Sequence, residues 1–287
     1  YAQHFCHLLL ILFAIRELKY DQENSTSIQT IEKGKNELMR LDKFLTEMGL
    51  GTRSEVKKIL KTKQITVNGE IVTKPETKVA PENDQISYKG EPVTYCEYEY
   101  YLFYKPAGCV TATEDQLHKT VMDYLTDTVR SDLFPVGRLD IDTEGLLLIT
   151  NDGALSHDLL APGKHVWKTY FVRVQGILED KDIERLENGM DIGDDRMTLP
   201  AKVKRLDAMS LSLSADDPGY PGDTESCLEL SIREGRFHQV KRMLAGVGHP
   251  VLYLKRLSMG SLRLDEALKQ GEYRRLTPEE IAALQKK

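Results

Sequence analysis

Residues 137–153, GRLDIDTEGLLLITNDG, place three carboxylates immediately ahead of an uninterrupted apolar run. Leu146, Leu147, Leu148 and Ile149 read as a strand buried on both faces, because no polar residue alternates with them. Asn151-Asp152-Gly153 reads as the turn that ends it. Asp140, Asp142 and Glu144 therefore stand at the entrance to a core. Carboxylates in such a place are either solvated loop residues or a reactive site.

The chain has 287 residues, enough for one large domain or for two with separate cores. It holds no run of the roughly 18 apolar residues that span a bilayer. Leu8 to Ile15 is apolar but short, with no basic segment before it and no small-residue cleavage site after it, so it does not read as a signal peptide. The cysteines (Cys6, Cys96, Cys109, Cys227) lie far apart with no CxxC spacing. That usage fits a reduced, cytoplasmic protein and offers neither a zinc site nor a disulfide framework. The net charge of −6 argues against nucleic acid only on average. From Arg40 to Lys63, seven basic residues face three acidic ones, a local patch able to meet a phosphate backbone.

Residues 1–38 differ in character from the rest: an apolar piece, then the aperiodic polar run DQENSTSIQTIEKGKN. They are expected to be an appended extension, with the folded protein starting at Met39; a native helix packing on the domain is the alternative. In RLDKFLTEMGLG, Leu41, Phe44, Leu45 and Met48 share one helix face. Thr52-Arg53-Ser54-Glu55 has the form of a capping box opening a second helix, with Val56, Ile59 and Leu60 inward and Lys57, Lys58 and Lys61 outward. Ile65-Thr66-Val67, Asn68-Gly69 and Ile71-Val72 then read as a hairpin.

After Glu97 the pattern changes. Leu102-Phe103-Tyr104 reads as a strand and Lys105-Pro106-Ala107-Gly108 as a turn. Strands are expected at 170–174, 201–206 and 227–232, and helices at 120–125, 181–186 and 237–245. No GxGxxG or GxxxxGK[ST] occurs. Mixed order without regular strand–helix alternation predicts an α+β domain on a mainly antiparallel mixed sheet. Ser214 to Ser226, rich in turn residues and acids, reads as a surface loop.

Three readings of Asp140 compete. The first makes Asp140 and Asp142 turn and cap residues. The second is a haloacid-dehalogenase-type phosphatase, since Asp140 to Thr143 matches DxDxT; there the apolar strand precedes the nucleophile, whereas here it follows, and Gly193-Asp194-Asp195 lacks a doubly wound setting for magnesium. The third takes the whole string. Together with MRLDKFL at 39, FYKPAG at 103, WKTYFVRVQG at 167, EGRFHQVKRMLAGVGHPV at 234 and GEYRRLTPEEI at 271, it closely resembles RNA pseudouridine synthases of the branch that carries an S4 RNA-binding domain in front. The resemblance runs from about Met39 to Leu284. Its wording is most like the small-subunit rRNA enzymes; large-subunit relatives of the same architecture stay open, as does a non-catalytic S4-type assembly protein that keeps the fold.

The resemblance implies an S4-like module with its linker over 39–98 and a pseudouridine synthase catalytic domain over 99–287. It implies isomerisation of an rRNA uridine without cofactor or metal, by a monomer with no membrane partner. Asp140 would be the catalytic aspartate, acting as nucleophile or as stabiliser of a cationic sugar. Asp142 and Glu144 are expected to be structural, with Asp142 on Asp140's face if the segment is extended. Tyr170, on the face of Val172 and Val174, would lie against the target base and be a candidate for proton transfer. A cation at Lys241 would keep Asp140 ionised; Arg242 is the competing candidate, because many relatives carry arginine where this chain has Lys241. Arg138 would fill the gap left by an everted uridine, and Leu139, His238, Arg236 and Arg242 belong with it as RNA-contacting or base-flipping candidates. Arg40, Arg53, Lys57, Lys58 and Lys61 would be the anchor on structured RNA. His157, His165 and His249 show no ligand spacing and are assigned to structure.

Overall fold

A computed structural model describes residues 38–207 and 217–286. The expectation about the extension therefore lies outside the described residues, except at Leu38, and so does the first part of the expected loop at 214–226.

The N-terminal unit begins with β1 (Met39–Arg40), α1 (Leu41–Glu47) and α2 (Arg53–Lys61). The capping box at α2 is present: Glu55 N donates to Thr52 Oγ1 at 3.3 Å and Thr52 N to Glu55 Oε2 at 2.8 Å. These bonds satisfy two of the amide groups that every helix start leaves free. Then come β2 (Ile65–Val67), β3 (Glu70–Ile71), β4 (Lys78–Val79), β5 (Ile86–Tyr88) and β6 (Glu91–Pro92), with β1 paired to β4 and a four-stranded sheet in the order β3-β2-β5-β6. Asn68 and Gly69 both have positive φ, 52° and 86°, as the two-residue hairpin turn requires. Leu41, Phe44, Leu45, Val56, Leu60, Ile65 and Val79 fill the core between helices and sheet. Each such side chain contributes about 1.5–3 kcal/mol by leaving water.

The second unit is built on β7 (Tyr100–Lys105), β8 (Phe134–Pro135), β9 (Glu144–Thr150), α3 (Gly153–Leu160), β10 (Lys168–Gln175), α4 (Asp180–Asn188), β11 (Lys202–Leu206) and β12 (Glu225–Ile232). It closes with α5 (Gln239–Gly246), β13 (Val251–Met259), β14 (Leu262–Arg263), β15 (Tyr273–Arg275) and α6 (Pro278–Gln285). The strands form one sheet in the order β11-β12-β10-β13-β9-β7-β15, with β14 on β13 and β8 on β9. Among the described strands of this sheet, β9 and β13 are the parallel pair; the others run antiparallel. This is the α+β architecture on a mainly antiparallel sheet that the pattern predicts.

β9 is buried on both faces, which accounts for its unbroken apolar run. Leu146 and Leu148 pack with Leu102, Leu155, Leu159 and Leu284, under α3 and α6. Leu147 and Ile149 pack on the other side with Tyr101, Phe103, Val121 and Leu133. A third cluster joins β10, β12 and β13 to α4 and α5 through Val172, Leu186, Leu228, Val240 and Met243. At the β9–β13 junction Gly145 sits opposite Arg256 with φ +104°, and a Cβ there would overlap the Arg256 backbone. Only glycine permits that approach.

Three local expectations change. The helix expected at 120–125 is a single 3₁₀ turn, Met122–Tyr124. α5 starts at Gln239 rather than Phe237, because His238 adopts the left-handed conformation (φ 48°, ψ 32°) and breaks the helix before it. Residues 140–143 are a turn closed by Thr143 N to Asp140 O at 3.1 Å, not an extended segment.

Candidate active site

The loop that leads from β8 into β9 carries the first carboxylates, and its shape is imposed from below. Lys105, the last residue of β7, is fully buried. Its ammonium donates to the carbonyls of Pro106 (3.0 Å), Asp140 (3.1 Å), Ile141 (3.4 Å) and Thr143 (2.9 Å). Gly108 N donates to Ile141 O at 2.7 Å, and the Thr111 hydroxyl donates to Leu139 O at 2.8 Å. Burial holds the Lys105 pKa below the ordinary lysine value, and carbonyl dipoles take the place of water around the charge. FYKPAG read simply as a strand running into a turn; the role of Lys105 as the staple of the 140–143 loop had no local signal.

Above this loop Asp140 meets α5. Lys241 Nζ lies 3.0 Å from Asp140 Oδ2 and donates to Asp142 Oδ1 at 2.6 Å. His238 Nε2 is 3.5 Å from Asp140 Oδ1. The Asp140 side chain is 27% exposed, reachable by a ligand yet partly shielded from water. Burial works against the charge on Lys241, but hydrogen bonds to Asp142 and Asp140 outweigh it and hold its pKa above the ordinary value. The N-terminal end of α5 stands beside the same carboxylate, and its dipole favours negative charge there.

Of the two neighbouring cations, Lys241 reaches Asp140 and Arg242 does not. Arg242 Nη1 pairs with Asp194 at 2.7 Å and donates to Ile192 O at 3.0 Å. Arg236 is directed to the same segment, donating to Arg196 O at 2.6 Å and Met197 O at 2.7 Å, and it also lines the cleft. These two arginines clamp residues 192–197 and neutralise the aspartate that the phosphatase reading had considered for magnesium. Glu144 is likewise taken: it accepts from Tyr253 Oη at 2.6 Å and Gln270 Nε2 at 2.8 Å.

Tyr170 is buried on the face of β10 shared with Val172 and Val174. It lines one cleft of about 990 Å³ together with Asp140, Lys241, Arg138, Leu139 and His238. That is room for a nucleotide by the usual size of ligand pockets. Leu139 is buried in the wall and Arg138 is exposed at the rim. Phe237, not singled out in the sequence, is 73% exposed and stacks on the His238 ring with centroids 3.8 Å apart. His249 bridges Gln175 O at 2.9 Å and Asp182 at 3.2 Å, a structural bond; His157 and His165 line no part of the cleft.

The remaining basic candidates lie apart from the cleft. Arg53, Lys57, Lys58 and Lys61 are exposed on α2. Arg40 is held by Asp42 in a bidentate pair of 2.9 and 2.8 Å. The two units touch where Glu47 of α1 meets Arg130 at 3.2 Å and Ser131 Oγ donates to Thr46 O at 2.7 Å. Among the described residues no helix is long and apolar enough to cross a membrane.

Comparison with known proteins finds similarity over most of the chain. The model of the RNA pseudouridylate synthase family matches residues 99–246, and that of the S4 domain residues 39–86. The RNA pseudouridine synthase YtzG of Bacillus subtilis (strain 168) is 44% identical, covering 86% of this chain and 98% of its own length. Ribosomal small subunit pseudouridine synthase A of Escherichia coli (strain K12) is 37% identical, covering 86% of this chain and 100% of its own. A solved pseudouridylate synthase structure, 36% identical, superposes with a TM-score of 0.56 over 86% of this chain and 99% of that one. The chain belongs to the RNA pseudouridylate synthase family, and is thus an isomerase, with an S4 domain ahead of the catalytic fold.

Proposed function

We propose that this enzyme converts one uridine of small-subunit 16S rRNA to pseudouridine, as a cytoplasmic monomer. Residues 39–98 act as the RNA anchor and 99–287 as the catalytic unit, with 1–38 as an added extension. The supporting observation for the chemistry is the 3.0 Å Lys241–Asp140 pair, set in the cleft that Tyr170 lines. The rRNA class is supported by the names of relatives at 36–38% identity over nearly their whole length.

In this reading a uridine leaves its helix, a step costing a few kcal/mol, and Arg138 with Leu139 occupies the gap. Its base lies against the Tyr170 ring, as stacking on an aromatic suits an unstacked pyrimidine. Asp140, paired with Lys241 at 3.0 Å, acts at the ribose as covalent nucleophile or as counter-ion of a cationic sugar. The C1′–N1 bond breaks, the base turns, and C1′ joins C5. The C5 proton then leaves, with the Tyr170 hydroxyl as the candidate carrier, and N1 gains a proton. Phe237 and His238 at the rim offer a stacked platform to a neighbouring base, and the α2 face offers cations to phosphates.

The test compares rRNA modification maps of cells with and without this chain, and then of cells carrying Asp140→Asn. One pseudouridine in 16S rRNA, mapped by primer extension after carbodiimide treatment, should vanish in the deletion and stay absent with the variant. RNA binding by the variant should remain normal. Full activity of Asp140→Asn, or loss of a large-subunit site instead, would overturn the reading.

A further inference from the structure

Two more cations face the cleft, and the chemistry assigned to Asp140, Tyr170 and Lys241 uses neither. Lys168 and Tyr170 are two apart on β10 and so project from one face, and Arg256 is Tyr170's register partner on β13. Both line the cleft. Lys168 is 7% exposed and Arg256 1%, far deeper than the rim arginines. Arg256 Nε donates to Leu146 O at 2.7 Å, while its Nη2 is buried with no partner. Lys168 Nζ donates to Val166 O at 3.2 Å, and among the described residues neither cation forms an ion pair. Lys105 shows the contrast, since four carbonyls surround that buried ammonium.

Two close buried cations without a carboxylate are costly unless an anion shares their site. Burial, with the Arg256 charge added, pushes the Lys168 pKa down to about 8. The chemistry of the reaction supplies such an anion. An everted nucleotide enters base first, while its phosphates remain in the chain and stop at the rim. When the C1′–N1 bond breaks heterolytically, its electron pair stays on N1 and spreads over the ring oxygens, so the released base is a uracil anion. Turning that anion about its C6–N3 axis exchanges N1 with C5 and O2 with O4. It therefore presents the same pair of oxygens before and after the turn.

We propose that Lys168 and Arg256 form a cationic subsite, at the inner end of the cleft, that binds the oxygens of uracil once it has left the ribose. The subsite rests on the reading of the cleft as the uridine site and adds an electrostatic role there: it stabilises charge that exists only after bond breaking. When C5 bonds to C1′ the electron pair returns to a covalent bond, C5 loses its proton, N1 gains one, and the anion disappears.

The test uses 16S rRNA transcripts carrying either uridine or 5-fluorouridine, whose fluorine makes the departing base a weaker base. Lys168→Met should slow single-turnover conversion of uridine about 100-fold, the scale of losing one preorganised charge stabiliser, but slow consumption of 5-fluorouridine about tenfold or less. Transcript affinity should stay within twofold, Tm should hold or rise because an unpaired buried charge is gone, and Lys168→Arg should recover most of the rate. Equal slowing on both transcripts overturns the subsite, as does weaker binding with an unchanged rate at saturation. A lowered Tm with both rates lost also overturns it. Should Lys168→Met fail to fold, Lys168→Gln is put through the same comparison. Asp140→Asn separates the two readings: activity of that variant refutes the uridine site itself, whereas its silence beside a fully active Lys168→Met refutes only the subsite.

Discussion

The outer face of α2 and the cleft between β10 and α5 are both basic, yet they hold their charges in opposite ways. On α2, Lys57, Lys58 and Lys61 stand in water. In the second unit two lysines are each placed by neighbours: Lys105 by four carbonyls, Lys241 by two carboxylates. Solvated charges are screened within about 10 Å at 0.1 M salt, so they attract any nearby phosphate and are interchangeable. Buried charges act over short range, in a fixed direction, and cannot be exchanged without rebuilding their surroundings. The first set can attract phosphate without orienting it; the second sets where atoms stand.

The largest break in that comparison should come at Lys241. Lys241→Met leaves Asp140 without its partner at 3.0 Å, and kcat should fall about 10²–10³-fold while RNA affinity changes little. Single-turnover assays with saturating enzyme check this; a drop in affinity alone would move Lys241 into the α2 class of cation. Lys105→Met comes next, and it acts on stability. Truncating a fully buried donor strands several carbonyls, at about 1–3 kcal/mol for each group left unsatisfied. Urea unfolding should show a loss of a few kcal/mol, and activity should fall with it because the 140–143 loop is no longer held.

These two lysines also show what a sequence can reveal. The capping box at Thr52 and the apolar run of β9 are written in adjacent residues, so both are readable before any fold is known. Asp140, Tyr170 and Lys241 are legible only through the resemblance of whole blocks, because periodicity gives a side chain a direction without saying what lies there. Lys241 and Arg242 illustrate the limit: one step around the helix separates a contact with Asp140 from one with Asp194. Lys105 is beyond local reading, since three of its acceptors come 35, 36 and 38 residues later. His238 is similar. Its left-handed backbone makes the helix start late, and nothing in the spacing of Val240, Met243 and Leu244 announces it.

On the solvated side the expected effect is smaller and spread out. Neutralising Lys57, Lys58 and Lys61 to Gln should weaken rRNA binding and flatten the plot of log affinity against log salt. Each lost phosphate contact changes the slope by about 0.7–0.9. The conversion rate at saturating RNA should stay as it was. A filter-binding titration across several salt concentrations measures it, and an unchanged slope would remove α2 from the RNA contact.

Asp142 lies between the two regimes, 66% exposed yet only 2.6 Å from Lys241, and so gives the finest test. Burial opposes its charge, but the hydrogen bond and charge of Lys241 outweigh that and hold its carboxyl below the ordinary value. A depressed acid stabilises the folded state at neutral pH and loses that contribution as pH falls through the lowered value. Lys241 is shifted the other way, so its contribution is lost only as pH rises through a value above the ordinary lysine one. Between about pH 5 and 9 both groups are charged, and the pair should be constant. Screening at so exposed a carboxylate limits Asp142→Asn to about 1 kcal/mol in stability and about fivefold in rate. The stability gap between wild type and variant, from urea midpoints, should be flat across that range and close as pH drops through the lowered Asp142 value. A gap that widens on acidification would mean the carboxyl is held protonated and that Lys241 answers to Asp140 alone.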